Sequence, residues 1–208
     1  MPYVGIMGGT FDPIHMGHLA AAEGAMHLVG LDQVLFMPNR QPPHKAGRPV
    51  TPAEHRAAMV RLAIAGNPRF AFSSLELEQE GPSYTLLTAR AMLAQHPGWR
   101  LAFLAGMDSL VDLTTWYQYE TLLGLIDMII FTRPGYSAQQ RDDALARLGP
   151  DLTARIRLVA VPGVAVSGTE LRRLAGEGYP WRYLVPDTVA TYMQEHGLYR
   201  NSLHTPNV

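Results

Sequence analysis

The chain has 208 residues, of which 47% are hydrophobic and 17% charged, with a formal net charge of −1 and no cysteine. This length and apolar content predict a sizeable core, and the balanced charge predicts neither a nucleic-acid partner nor a membrane partner. The lack of cysteine excludes disulfides, thiolate metal sites and a cysteine nucleophile. Because neither a signal peptide nor an apolar run of about 18 residues is visible, we expect a cytoplasmic protein.

The first eighteen residues carry the strongest local pattern. An apolar run at 3–7 predicts a strand, the sequence GGTFDPIHMGH follows at 8–18, and a helix is predicted at about 17–29, ended by Gly30. Strand, glycine-rich turn and helix together form a phosphate site. Glycine lets backbone N–H groups approach an anion and allows a positive φ, and the start of the helix faces the same anion.

Strand and helix patterns alternate along the rest of the chain. Further strands are predicted at 33–37, 70–73, 100–105, 126–132 and 156–161. Further helices are predicted at about 51–65, 85–95 and 138–148, from 167 onwards and at 187–196, and one or two short helices are predicted at 110–125. This alternation predicts a doubly wound, Rossmann-like parallel α/β sheet flanked by helices, with a small C-terminal helical piece. We expect a single domain over 1–200 and a flexible tail over 201–208.

Two predicted helix starts carry capping signals. Thr51 and Glu54 have the spacing of a capping box, and Ser167 and Glu170 repeat that spacing. The first of these helices is predicted to end at Gly66.

His15 and His18 lie three positions apart where the first helix begins, so both imidazoles can face one side. Two ring N–H groups beside a phosphate cradle can donate to its oxygens. A zinc site that includes Asp12 is the alternative, but zinc needs further ligands and no companion pair such as His-Glu-x-x-His is present. A purely structural role at the helix start is the other alternative.

Segment 8–18 resembles the signature of the HxGH nucleotidylyltransferases, and four later segments resemble the nicotinate-nucleotide adenylyltransferase family within that group. These are PPHK at 42–45, SYTLLT at 83–88, WY at 116–117 and SGTELR at 167–172. In the last segment Gly168 stands where the family usually has serine, so one hydroxyl donor is lost while the backbone N–H remains. Segment 8–18 alone also resembles phosphopantetheine adenylyltransferases and glycerol-phosphate cytidylyltransferases.

The resemblance implies transfer of the adenylyl group of ATP to nicotinate mononucleotide, giving deamido-NAD and pyrophosphate in NAD biosynthesis. The acceptor phosphate would attack the α-phosphorus directly and in line, with Mg²⁺ carried on the ATP phosphates rather than in a protein metal site. The implied catalytic residues are His15, His18, Lys45 and Arg172. The implied ATP-binding residues are both histidines, Arg172, Gly8, Gly9, Thr10, Phe11, Gly106, Asp108, Ser167 and Thr169. The implied mononucleotide-binding residues are Asn39, Lys45, Ser83, Tyr84, Thr85, Trp116, Tyr117 and Arg133.

Other functions stay open at this point. The same reaction could take nicotinamide mononucleotide or phosphopantetheine as acceptor, although Trp116 beside the SYT segment argues against the latter. A regulatory nucleotide-binding protein without turnover and a zinc-binding module are further alternatives. A Rossmann dehydrogenase is disfavoured because the glycines at 5, 8 and 9 lack the GxGxxG spacing. The basic, proline-rich segment 38–49 fits a solvated connector or a ligand cover. The sequence beyond about residue 178 indicates no function, and the chain is compatible with a homo-oligomer.

Overall fold

A computed structural model describes residues 1–40, 50–79, 81, 83–132, 137–161 and 166–200. Within these ranges, six strands form one sheet: β1 (Tyr3–Gly9), β2 (Gln33–Pro38), β3 (Phe70–Phe72), β4 (Arg100–Gly106), β5 (Asp127–Thr132) and β6 (Ile156–Ala160). Their order is β3-β2-β1-β4-β5-β6 and every pairing is parallel. The doubly wound parallel sheet predicted from the sequence is confirmed.

The helices lie close to their predicted positions. They are α1 (Met16–Val29), α2 (Ala53–Ile64), α3 (Leu75–Glu78), α4 (Thr85–Gln95), α5 (Met107–Asp112), α6 (Tyr119–Leu125), α7 (Ala138–Leu148), α8 (Pro150–Thr153), α9 (Gly168–Glu177) and α10 (Asp187–Glu195). Two of them, α3 and α8, are absent from the prediction because four residues are too few to display a helical period. The range 110–125, predicted to hold one or two short helices, holds the end of α5, a 3₁₀ turn at Leu113–Thr115 and α6.

Alternate residues of each strand point to opposite faces of the sheet and fill two hydrophobic layers. Met7 and Phe36 belong to the layer beneath α1, α2 and α10. Ile6 and Leu35 belong to the layer beneath α4, α5 and α6. Because both faces are covered, the strands read as continuous apolar runs rather than alternating ones.

The start of α2 corrects one prediction. Pro52 is its N-cap residue and no side chain caps the helix, so Thr51 and Glu54 do not form a capping box. The backbone of Thr51 has other contacts instead, because its N–H lies 3.4 Å from the carboxylate of Asp12 and its carbonyl accepts from Arg56 over 2.9 Å. Tertiary contacts therefore override the local capping signal.

Both predicted glycine ends lie at the ends of their helices. Gly30 follows α1 in the left-handed conformation with a φ of 76°. The helix α2 ends at Ile64, close to the predicted limit, and its C-cap residue Ala65 has a right-handed conformation and directly precedes Gly66.

Asp127 ties together three segments at the amino edge of the sheet. Its buried carboxylate accepts from Tyr3 over 2.9 Å, from Arg100 over 2.5 Å and from Arg155 over 3.2 Å. Burial and the hydrogen bond to this carboxylate raise the pKa of Tyr3 to about 12. This cluster belongs to the end of the sheet opposite the carboxyl ends of the strands, so its role is in stability.

The C-terminal helical piece packs against α2. Nδ1 of His55 and the hydroxyl of Tyr192 form a hydrogen bond of 2.9 Å between α2 and α10. The hydroxyl of Thr188 donates to the carbonyl of Leu62 over 3.2 Å. In the part of the chain that the structure describes, no helix is both long and apolar enough to cross a membrane.

Candidate active site

The carboxyl ends of β1 and β4 mark the point where the order of the sheet reverses. From β1 the chain proceeds outward through β2 and β3, and it then returns to β4 on the other side of β1. Ligands of open α/β sheets bind in the crevice at such a point. The GGTFDP segment follows β1 and the Gly106–Asp108 segment follows β4, so the topology brings these two predicted segments together.

Gly8 and Gly9 end β1 rather than forming a turn. A Cβ atom at Gly8 would lie 3.0 Å from the ring of Phe103, and one at Gly9 would lie 3.3 Å from the ring of Phe11. These glycines therefore permit a close approach, whereas the positive φ that we expected of them occurs at Phe11, at 49°. A left-handed conformation at a phenylalanine is unfavourable by itself, and the buried packing of its ring supports it.

His15 and His18 lie together at the start of α1, where His15 is the N-cap residue. Their rings stack, with centroids 3.7 Å apart. The backbone N–H of His15 donates to Nδ1 of His18 over 3.2 Å. A neutral imidazole that accepts at Nδ1 carries its proton on Nε2, so this contact favours the form of His18 that donates from Nε2.

Three cavities meet at this edge and share residues of the glycine and histidine segments. The first, of about 400 Å³, is bordered by Gly8, His18, Gly106 and Asp108. The second, of about 350 Å³, also includes His18 and Asp108 and extends to the start of α9. The third, of about 270 Å³, shares Gly8 with the first and extends to the start of α4. We name them the nucleoside, phosphate and pyridine cavities for the ligands proposed below.

The start of α9 forms one wall of the phosphate cavity, with Ser167, Gly168, Thr169 and Arg172 at its surface. Ser167 is the N-cap residue, and its hydroxyl accepts from the backbone N–H of Glu170 over 3.2 Å. The predicted capping box is therefore half formed, because the carboxylate of Glu170 pairs with Arg173 instead. Thr10, Phe11 and His15 border the cavity opposite α9.

Gly168 allows α9 to approach the GGTFDP segment. A Cβ atom at this position would lie 2.8 Å from the carbonyl oxygen of Asp12 and 3.3 Å from the guanidinium of Arg172. A serine at position 168 would therefore push the two segments apart. This close contact explains why glycine stands at a position where the family usually has serine. The glycine therefore does more than remove a hydroxyl.

Arg172 joins α9 to the GGTFDP segment. Its guanidinium donates to the carbonyl of Asp12 over 2.5 Å and to the hydroxyl of Thr169 over 3.3 Å. It also lies 3.7 Å from the carboxylate of Asp12, and its side chain remains 31% exposed at the cavity. Arg172, which is predicted to bind phosphates, therefore lies at the cavity, and its contacts with Asp12 set its position.

The pyridine cavity brings together predicted mononucleotide residues of three segments. It is lined by Asn39, Ser83, Tyr84, Thr85, Trp116 and Tyr117. The half-buried ring of Trp116 meets Phe103 edge to face at 5.8 Å, and the rings of Tyr84 and Tyr117 lie 4.9 Å apart. Oδ1 of Asn39 is buried and has no hydrogen-bond partner among the described residues. Aromatic faces and a polar group within one cavity suit a flat heterocycle with polar substituents.

Glu76 lies at the wall of the same cavity and was missed by the sequence analysis. Its side chain is 5% exposed, and its carboxylate accepts from the hydroxyl of Thr88 over 2.7 Å. Burial raises the pKa of Glu76, while the hydrogen bond from Thr88 opposes that shift. Glu76 therefore anchors the SYTLLT segment from beneath.

Arg56 supports the GGTFDP segment and was also missed. Its side chain is 1% exposed, and it donates to the carbonyls of Thr10 over 2.7 Å and Thr51 over 2.9 Å. Burial lowers the pKa of Arg56, and the nearby charge of Asp12 opposes the shift. Buried Met59 and Val60 follow Arg56 at the i+3 and i+4 positions of α2, and this helical spacing could have indicated that Arg56 faces inward.

Two predicted catalytic or binding residues, Lys45 and Arg133, lie outside the described residues, as do the PPHK segment and the predicted tail at 201–208. Among the described residues, no group of three histidine or acidic side chains could hold a metal ion. The zinc alternative therefore gains no support from the structure.

The fold and the paired histidines beside three adjoining cavities define a nucleotidylyltransferase. The model of the cytidylyltransferase-like family matches residues 6–174, and the chain belongs to that family. A protein of Symbiobacterium thermophilum, named a probable nicotinate-nucleotide adenylyltransferase, is 60% identical over 199 residues, which cover 96% of each chain. A protein of Desulfitobacterium hafniense with the same name is 42% identical over 197 residues, which cover 95% of each. Within the wider family, the chain is therefore a member of the nicotinate-nucleotide adenylyltransferases.

The fold is also that of a solved structure. The nicotinic acid mononucleotide adenylyltransferase of Plasmodium falciparum, complexed with APC, superposes with a TM-score of 0.78 at 18% identity, covering 96% of this chain and 98% of the other. The same protein is known complexed with NaAD. At this identity the likeness shows the shared fold.

Proposed function

We propose that the chain transfers the adenylyl group of ATP to nicotinate mononucleotide, releasing pyrophosphate and forming deamido-NAD. The observation that carries the proposal is the meeting of three cavities at the switch point of the sheet. His18 borders two of them, and Gly8 joins the pyridine cavity to the nucleoside cavity. Two substrates bound on either side of Gly8 would bring their phosphates together near the histidines.

The reaction needs no protein nucleophile. An oxygen of the acceptor phosphate forms a bond to the α-phosphorus of ATP, and the bond from that phosphorus to the bridging oxygen of pyrophosphate breaks. A phosphate monoester is largely ionised at neutral pH, since its second pKa is about 6, so a strong general base is unnecessary. The protein must align the two phosphates and stabilise the charge that gathers on the transferred group and on pyrophosphate.

His15 and His18 are the proposed donors to the α- and β-phosphates. The contact from the backbone of His15 holds His18 in the form that donates from Nε2. Thr169 and Arg172 line the phosphate cavity and are proposed to contact the β- and γ-phosphates. The start of α9 adds backbone N–H groups and the positive end of a helix dipole. Gly106 and Asp108 are the proposed contacts of the adenosine ribose.

The acceptor is proposed to occupy the pyridine cavity with its ring on Trp116. Its carboxylate would meet the first backbone N–H groups of α4 near Thr85, where Tyr84 is the N-cap residue and no described side chain caps the helix. Helix-start N–H groups stabilise a carboxylate and have no acceptor to offer the NH₂ of a carboxamide. The acid should therefore be preferred over the amide. Asn39, Lys45 and Arg133 are proposed for the phosphate of the mononucleotide.

Mg²⁺ is proposed to enter with ATP, held by the triphosphate oxygens and water, which is the coordination that this ion favours. The ion would supply charge neutralisation on the phosphates.

A single-turnover experiment with ATP labelled on its α-phosphate tests the proposal. With excess enzyme and nicotinate mononucleotide, we expect all transferred label in deamido-NAD and none on the protein. Label on the protein would contradict direct transfer. Nucleotide binding without label transfer to any acceptor would favour the regulatory alternative, and transfer to phosphopantetheine alone would mean a different acceptor.

A further inference from the structure

The C-terminal end of the described chain contacts the GGTFDP segment. The hydroxyl of Tyr199 donates to Oδ1 of Asp12 over 2.6 Å, across 187 positions of sequence. Tyr199 has a positive φ of 63°, which is uncommon for a non-glycine residue. Burial and the adjacent carboxylate raise the pKa of this phenol, so it stays protonated and remains a donor at neutral pH. The sequence beyond residue 178 had indicated no function.

Asp12 is a buried carboxylate between cationic groups at the rim of the phosphate cavity. Its side chain is 6% exposed. Oδ1 accepts from Tyr199, while Oδ2 lies 3.4 Å from the backbone N–H of Thr51 and 3.7 Å from Nη1 of Arg172. The charge of buried Arg56 is also close enough to interact with it. A negative charge here competes with nucleotide phosphates for the guanidinium of Arg172.

The hydroxyl of Tyr199 limits that competition. A carboxylate with both oxygens available pairs with arginine through two parallel hydrogen bonds, the strongest geometry for this pair. With Oδ1 engaged by Tyr199, Asp12 reaches Arg172 only through Oδ2, at 3.7 Å. Arg172 instead donates at short range to the backbone carbonyl of Asp12, which carries no net charge. The side chain of Arg172 stays partly exposed and lines the phosphate cavity.

We propose that Tyr199 is a positioning residue, which holds Asp12 so that Arg172 remains available to the phosphates of the nucleotide. The proposal rests on the proposed function, since it concerns the same phosphate cavity. It extends the site to the C-terminal segment that packs on α2, none of whose described residues lines that cavity. Tyr199 thereby influences nucleotide affinity through Asp12 and Arg172, although it does not itself line the phosphate cavity.

The variant Tyr199→Phe keeps the ring and removes the hydroxyl. We expect the KM for ATP to rise about tenfold, the range for losing a hydrogen bond to a charged group. The KM for nicotinate mononucleotide and the thermal midpoint should change little. Tyr192→Phe is the matched control, because it removes another hydroxyl that attaches the C-terminal segment, through His55, away from the phosphate cavity. It should leave the KM for ATP as in the wild type.

Equal effects of the two variants, or no effect of Tyr199→Phe on the KM for ATP, would overturn the proposal. In an Asp12→Ala background, Tyr199→Phe should have no further effect on that KM, and a full additional effect would contradict the proposed route through Asp12. Should both variants and the wild type lack turnover, the proposed function fails. The same comparison is then made by calorimetric ATP binding, which decides the positioning role without any acceptor.

Discussion

Replacing His18 tests the proposed donor most closely. The backbone N–H of His15 donates to Nδ1 of His18, a contact that favours the ring form with its proton on Nε2, the position from which the ring can donate. His18→Ala removes a preorganised donor, and loss of one such donor lowers kcat by about 10²–10³-fold. It also removes the acceptor for the N–H of His15, which should reduce the free energy of unfolding by about 1 kcal/mol.

Two amide variants separate these effects. In His18→Asn, the side-chain oxygen can occupy the position of Nδ1, so the stability should recover while kcat stays low. In His18→Gln, the amide N–H can reach the position of Nε2, so part of kcat should recover. Steady-state pyrophosphate release and urea unfolding measure the two quantities. Ordinary turnover in His18→Ala, or recovery of kcat in the asparagine variant alone, would refute the assignment of Nε2 as donor.

Three further predictions concern the pyridine cavity and the scaffold. Trp116→Ala should raise the KM for nicotinate mononucleotide about tenfold or more, the range for a lost stacking contact, with a smaller effect on ATP in steady-state kinetics. Asp127→Ala should lower the free energy of unfolding in urea by about 2 kcal/mol, since its arginine partners are half-exposed. Glu76→Gln removes a carboxylate whose pKa is raised by burial. The free energy of unfolding of the variant, relative to that of the wild type, should therefore increase as pH rises from about 4 through the raised pKa of Glu76.

Each of these predictions has a distinct contradictory result. Equal losses for both substrates in Trp116→Ala would mean that the ring supports the fold rather than the ligand. Exposed Asp143 provides the control for buried Asp127. Equal destabilisation by Asp143→Ala would contradict the stabilising role of the cluster around Asp127. If the stability difference between Glu76→Gln and the wild type does not change with pH, then burial does not raise the pKa of Glu76.

The sequence predicts well whatever depends on neighbouring residues. The limits of α4 and α7 agree with the predicted 85–95 and 138–148. The glycine or proline that follows each helix and the capping serine before α7 are local signals. The parallel sheet follows from the alternation of apolar runs with helices. Trp116 lies 31 positions beyond Thr85, yet the resemblance predicted that both contact the same ligand, and the two residues line one cavity.

Contacts between distant segments could not be predicted. Nothing near Tyr199 in the sequence indicates a partner 187 positions away. The capping box at Thr51 fails because Asp12 and Arg56 bind its backbone, and the left-handed residue of the GGTFDP segment is Phe11 rather than a glycine because packing supports it. These are tertiary effects that outweigh local preference.

Pyrophosphate release from Mg-ATP, with nicotinate mononucleotide and nicotinamide mononucleotide as parallel acceptors, tests the central claim most directly. The account predicts rapid release with the acid and a much smaller kcat/KM with the amide, because the start of α4 offers N–H donors to a carboxylate. Equal kcat/KM for the two acceptors would contradict the proposed carboxylate site, and no release with either would contradict the proposed function itself.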